Sequence, residues 1–420
     1  MPILVLAWKS LWNRRFTVAL TLASIALSVA LLVGVERVRT ETRASFANTI
    51  SGTDLIVGAR SGGVQLLLYA VFRIGNPTNN LSWRSLQEIA AQPKVAWVVP
   101  LSLGDSHRGY RVLGTSAGFF EHYRFARDLG LTFTQGGPFA DLYDAVLGAE
   151  VAERLDYRIG DPLVIAHGAG DVSFARHDDK PFRVAGILAR TGTPVDRTLH
   201  VSLEAIEAIH ADWQGGAPVP GASRGSADAV RALDLTPKAV TAALVGLKSK
   251  VATFQVQRFV NDYREEPLTA ILPGVALAEL WGLVGVAEGA LLVVSACVVV
   301  VGLFGMLTAL LTGLNERRRE LAILRSVGAR PGHLFGLILG EALFLTGLGA
   351  ALGLGLLYLL LALARPWVEA RFGIHLGFGG LSAHEIGLLA AVGLAGAVAG
   401  AIPAWRAYRI SLTDGLSPRV

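Results

Sequence analysis

Apolar positions gather into four long runs separated by one extended mixed stretch. Residues 16–35 and 386–405 carry no charged side chain, residues 283–314 only Glu288, and residues 333–364 only Glu341. A helix needs about 20 apolar residues to cross about 30 Å of hydrocarbon, so each run predicts a transmembrane helix. From residue 36 to about 282 no other segment is long enough to span. Residues 36–51 continue as a polar helical pattern that extends the first span.

Within the mixed stretch the hydrophobic period switches repeatedly between 2 and 3.6. Strand patterns fall at 53–59, 95–103, 110–114, 145–147, 163–166, 182–188, 198–202 and 239–247. Helical patterns fall at 83–91, 150–155, 203–210 and 249–263, and 66–72 reads as an apolar helix or a re-entrant surface piece. The mixture predicts an α+β domain. Residues 213–237, rich in Gly, Pro, Ala and Ser, read as a mobile surface insertion. The glycine-punctuated stretch 52–80 has an apolar centre that suits either a buried core or a partner- or lipid-facing surface.

Charge then orients the spans. The segment 315–332 (NERRRELAILRSVGARPG) holds Arg317, Arg318, Arg319, Arg325 and Arg330, which assigns it to the cytoplasm. Lys9, Arg14 and Arg15 precede the first span, and Arg406 and Arg409 follow the last. The layout expected is a cytoplasmic N-terminal segment (1–15), helix 1 and stalk (16–40), an extracytoplasmic domain (41–282) and helix 2 (283–314). A cytoplasmic helix (315–332), helix 3 (333–364), an outer loop (365–385), helix 4 (386–405) and a cytoplasmic C-terminus (406–420) complete it. The N-terminal run is too long for a cleaved signal peptide and lacks a small-residue cleavage site, so it reads as an uncleaved anchor.

The cytoplasmic segment is good helix former up to Val327, then Gly328 and the Arg330-Pro331-Gly332 turn end it. Leu321, Ile323, Leu324 and Val327 cover a broad arc that suits a groove on a partner, with Arg318, Ala322 and Arg325 on the other side. Arg319, Glu320 and Arg325 are then expected to pair with charges at the rim. Arg317, nearer the lipid, is expected to matter less.

Composition narrows the chemistry. With 52% hydrophobic and 17% charged residues and a net charge of +5, the chain is too apolar for an ordinary soluble enzyme. Its basic excess lies beside the spans and reads as topology, not nucleic-acid binding. The single cysteine, Cys297, lies in an apolar run and allows no intrachain disulfide. The sequence contains no GxxxxGK[ST], HExxH or CxxC, no catalytic residues are assigned, and no cofactor or metal is expected in the chain. His107, His122, His167, His177, His200 and His210 lie in the outer domain; His177-Asp178-Asp179 is the one cluster that metal ligation would suit. Glu288 and Glu341 are costly inside a membrane and are expected near the interface, paired in the bundle, or functional. Gly332, Gly336 and Gly340, then Gly349 and Gly353, then Gly396 and Gly400, recur at four-residue spacing and are expected to pack helices closely, within the chain or against a second copy.

The run Arg319-Glu320-Leu321-Ala322-Ile323-Leu324-Arg325-Ser326-Val327-Gly328-Ala329 resembles the signature of FtsX/MacB-type (type VII) ABC transporter permeases, related to lipoprotein-releasing permeases. VLGAEVAERLDYRIG at 146–160, followed by Asp161-Pro162, resembles the strand–helix–turn of the MacB-type periplasmic domain. The resemblance implies a bacterial inner-membrane protein whose 315–332 segment is a coupling helix seated in a cleft of an ATPase. Glu316, Arg319, Glu320, Leu321, Ala322, Leu324, Arg325, Val327, Gly328 and Ala329 would form that contact. ATP and Mg would be bound by the ATPase, two copies of which would join two permeases as a homodimer or heterodimer. The task implied is mechanical work in the periplasm, such as lipoprotein release or export, with a periplasmic binding or substrate protein as a further partner. Within the family, the alternative is an envelope metal-homeostasis or metal-uptake system, which the 51–79 stretch also resembles. Outside it, the alternatives are a membrane receptor or a cell-division regulator.

Overall fold

The computed structural model describes residues 12, 14–126, 128–167, 175–176, 180–211, 213–214, 217–218, 227–372 and 379–409. The chain divides into two compact units. One is drawn from Met1–Thr42, Gly285–Ala370 and Leu376–Val420, the other from Arg43–Val284 and Arg371–His375.

The first unit is helical. Helix α1 runs Arg15–Asn48. The second unit opens with β1 (Leu55–Ala59), α2 (Gly63–Phe72), α3 (Trp83–Ala90), β2 (Val95–His107) and β3 (Tyr110–Thr115). There follow β4 (Phe133–Gly136), β5 (Asp144–Leu147), α4 (Ala149–Leu155), β6 (Phe182–Leu188), β7 (Thr198–Ser202) and α5 (Leu203–Ile209). Then come β8 (Ala242–Leu247), α6 (Thr253–Asn261) and β9 (Leu268–Ile271). The remaining helices are α7 (Pro273–Glu316), α8 (Arg318–Ser326), α9 (Pro331–Phe372) and α10 (Ala383–Arg409). Helices α1, α7, α9 and α10 each contain a stretch long and apolar enough to cross a membrane. This is a membrane protein with an α+β domain.

The sheet runs β9-β1-β8-β2-β3-β7-β5-β6-β4. It is antiparallel except at β3·β7 and β5·β6, which are parallel. Strands β1, β5 and β7 are buried along their whole length, because helices cover both faces of the sheet centre. Serines start two of these helices as the sequence directs: Ser82 Oγ accepts from Ser85 N at 3.2 Å and Ser202 Oγ from Ala205 N at 3.0 Å.

Helix α2 decides the role of the 52–80 stretch. Leu66, Leu67, Tyr69, Ala70, Val71 and Phe72 are buried with strand residues Ile56, Leu101 and Leu244, so the apolar centre of the stretch is core. The expected strand at 163–166 is instead two short pieces. Pro162–Leu163 pairs with β6 and Ala166–His167 with β2, because the chain changes partner between them. Of the 213–237 insertion, Trp213–Gln214 and Ala217–Pro218 form a two-stranded ribbon, and Val230 is buried against the domain; residues 212, 215–216 and 219–226 lie outside the described residues.

The histidines are absorbed separately. His200 is fully buried against Phe119 and Phe120, and burial beside the Arg73 charge pushes its pKa down to about 3, so it is neutral. His107 contacts Val164 O at 2.6 Å and Tyr157 OH at 3.0 Å. His122 stacks on Trp97, and His210 lies 3.6 Å from Asp105. His177-Asp178-Asp179 lies outside the described residues, as does the His167 side chain. Among the described residues, no three His, Cys, Asp or Glu side chains converge as a metal site.

Candidate functional site

Helix α8 follows α7 almost without interruption. Arg317 N donates to Gly313 O at 3.1 Å and Leu321 N to Arg317 O at 2.9 Å, so the ladder barely breaks. Its end is a Schellman motif: Gly328 sits at φ 105°, its N–H bonds Arg325 O at 3.1 Å, and Ala329 N bonds Leu324 O at 3.0 Å. Any Cβ would strain position 328, which is why glycine stands there. Pro331 then opens α9 with its φ already suited to a first turn.

The helix divides its side chains differently from the expected arc. Leu321 is 1% exposed and packed with Leu314, Leu334, Ile338, Ala404 and Ala407 of the chain's own helices, and Ala322 is 0% exposed. Leu324 and Ala329 are half-buried against the same cluster. Ile323 is 50% exposed and Val327 83%. Leu321 and Ala322 therefore do not face outward. The turns at both ends of α8 press the 317, 321 and 324 positions onto α7, α9 and α10, leaving Glu320, Ile323 and Val327 on the free face. Arg325 is partly buried. The side chain of Arg319 lies outside the described residues.

Charges hold the segment from both sides. Arg14 Nε lies 3.2 Å from Glu316 Oε2, so Glu316 is engaged within the chain. Arg14 also donates to Ala309 O at 3.2 Å while lying across Gly313, where a Cβ would collide with the guanidinium. Arg317, expected near lipid, is buried. Its Nη1 donates to Glu341 Oε2 at 3.0 Å and its Nε to Glu320 Oε2 at 3.4 Å. This answers the question posed by Glu341: the carboxylate is the counter-ion of the segment below it. Glu288 is half-buried on α7.

Four of the seven candidate packing glycines sit at close approaches. A Cβ on Gly349 would lie 2.6 Å from Ile25 Cγ2, and on Gly353 2.6 Å from Ala26 O. On Gly396 it would lie 2.4 Å from Thr346 Oγ1, and on Gly400 2.3 Å from Ala342 Cβ. At Gly332, Gly336 and Gly340 a Cβ meets nothing within 4 Å among the described residues of the chain, so this stretch of α9 packs none of the chain's own helices through its glycines. Neither Arg14 nor Arg317 was singled out as a partner from the sequence. Carboxylates near each end of the arginine-rich segment were the available signal.

The MacB-like periplasmic core domain family model matches residues 18–260, and the FtsX-like permease C-terminal model matches residues 292–412. Among curated proteins, the macrolide export ATP-binding/permease protein MacB of Rhodospirillum rubrum is 25% identical over 436 residues, covering 99% of this chain and 60% of that protein. The pyoverdine export ATP-binding/permease protein PvdT of Pseudomonas fluorescens is 23% identical over 367 residues, covering 83% of this chain and 50% of that protein. The chain thus spans between half and three fifths of the length of these relatives. A solved structure, the periplasmic region of MacB from Actinobacillus actinomycetemcomitans, is 12% identical with a TM-score of 0.34, covering 55% of this chain and 94% of that one.

Proposed function

The chain belongs to the FtsX/MacB-type, or type VII, family of ABC transporter permeases, and from that premise we propose that it couples ATP hydrolysis on a separate ATPase subunit to mechanical work in the periplasm. The observation carrying this reading is α8: a short helix braced on its own bundle by Leu321, Ala322 and Arg317, with Ile323 and Val327 left exposed at the opposite face. A helix anchored this way delivers a push on its free face to the helices behind it without bending first. The absence of a GxxxxGK[ST] loop in these 420 residues supports a partner that binds ATP and Mg. The chain would contribute no catalytic residue.

In this reading α1, α7, α9 and α10 span the inner membrane with both termini and α8 cytoplasmic, and the α+β domain lies in the periplasm between helices 1 and 2. Two permeases and two ATPases make the complex. The relatives' names, macrolide export and pyoverdine export proteins, favour an export-type task over uptake. Co-expression with the cognate ATPase and purification through a tag on the permease tests this. ATPase and permease should recover in equal amounts, two of each per particle, and the permease alone should hydrolyse no ATP. Hydrolysis by the purified chain, or failure to retain the ATPase, overturns it.

A further inference from the structure

A second buried ionic contact lies at the other end of the helical unit, outside the segment that meets the ATPase. Residues 16–35 of α1 are uncharged, and Glu36 and Arg37 follow at once. Both are almost fully buried, as is Glu385 on α10. Arg37 Nε donates to Glu385 Oε1 at 3.0 Å and Nη2 approaches Oε2 at 3.4 Å. The same Nη2 donates to Gly379 O at 3.0 Å and Gly380 O at 2.9 Å. The guanidinium lies 5.1 Å from the ring centroid of Tyr358 on α9, and Tyr358 OH donates to Gly379 O at 3.2 Å.

Glu385 is itself held in a capping box. Ser382 N donates to Glu385 Oε2 at 2.7 Å, and Glu385 N donates to Ser382 Oγ at 3.2 Å. Beside this pair, Glu36 Oε1 takes Arg39 Nη2 at 2.8 Å and lies 3.7 Å from His384 Nε2. One turn of α1 therefore grips α9, the chain leading into α10, and the first turn of α10.

Apolar packing would hold three helices together without burying ions, and it tolerates sliding. A planar guanidinium shared between a carboxylate and two carbonyls does not: moving α1 by one residue turns Arg37 by about 100° and breaks every contact. Buried ion pairs are poor sources of stability and their best-attested use is to fix register. Helix α1 continues past Arg37 to Asn48, so whatever motion leaves the bundle along this helix passes through that turn. About 35 Å of helix separates Arg37 from Arg14, which fastens the other end of α1 beside Glu316.

We infer that Arg37 is a positioning residue for the stroke: it locks α1 in register with α9 and α10, so that the three helices move as one body and the motion reaches the continuation of α1. This rests on the transmission role given to the chain above. The test uses the permease–ATPase complex in nanodiscs, on a Cys297→Ser background, with spin-label pairs at Ala44/Leu394 and Ala44/Val301. The first pair reports whether α1 and α10 stay together; the second reports movement of α1 against α7 on trapping the ATP-bound state.

In the parent complex the Ala44/Leu394 distribution should be narrow and indifferent to nucleotide, while Ala44/Val301 shifts. Arg37→Gln strands a buried carboxylate, so it is read beside Arg37→Gln/Glu385→Gln, which leaves no ion alone and keeps a residue able to close the cap. The double variant should assemble and melt like the parent, yet broaden the first distribution and lose the shift in the second. Arg37→Lys should fail in the same way, since an ammonium has no planar fork. A double variant that keeps the full shift overturns the role of Arg37 while leaving the transmission reading standing. Absence of any shift in the parent complex removes that reading, and this role with it.

Discussion

Arg317 is one of five arginines between residues 317 and 330, and its position on the helix turn alone sets it apart. At 317 the side chain faces the bundle and meets Glu341 with both groups at or below 10% exposure. Breaking such a pair from one side leaves an uncompensated buried charge, which typically costs about 3–5 kcal/mol, whereas removing both partners costs far less. Glu341→Gln and Arg317→Gln are each expected to lower the thermal midpoint of the detergent-purified protein sharply. The double variant should recover most of that loss; a loss equal to the sum of the two would show that the residues act independently. Sequence spacing did not disclose the pair, because the partners lie on separate helices across a turn. The carboxylate's depth in an apolar run signalled only that it needed a partner.

Helices were the most legible elements, and their ends the least. The runs at 283–314, 333–364 and 386–405 mark where hydrocarbon is crossed, but the helices continue to Pro273, Phe372 and Ala383, because Ala, Leu, Glu and Trp keep a helix going after the apolar run stops. Gly328 was readable because it solves a local hydrogen-bond problem at the end of α8. Which glycines pack was not readable, since four-residue spacing defines a face without saying what covers it. Gly353→Val drives a side chain into Ala26 O and should cost about 1–3 kcal/mol or more from overpacking. Gly336→Ala enters open space and should be neutral or gain about 0.5–1 kcal/mol from helix propensity. The comparison is made by thermal unfolding of both variants in detergent. Equal destabilisation would mean that the face bearing Gly336 is occupied, and loss of the dimer would place a second copy on it.

At the scale of the whole molecule, four helices long and apolar enough to span and an α+β domain followed from hydrophobic period and length alone, and the family followed from the 319–329 motif with the 146–160 stretch. The direction in which that motif faces did not. Its apolar residues looked like one docking arc, yet Leu321 and Ala322 serve the chain's own core and only Ile323 and Val327 remain exposed. Period fixes which residues share a face, whereas the turns before Arg317 and after Val327 decide where the face points. The central claim is that this free face of α8 meets the ATPase, and a site-specific photocrosslinker tests it most directly. Placed at Val327 or Ile323 in cells co-expressing the ATPase, it should capture the ATPase on illumination, while the same group at exposed Leu129 of the α+β domain should capture none. Capture at Leu129 with none at Val327 and Ile323 would contradict the account.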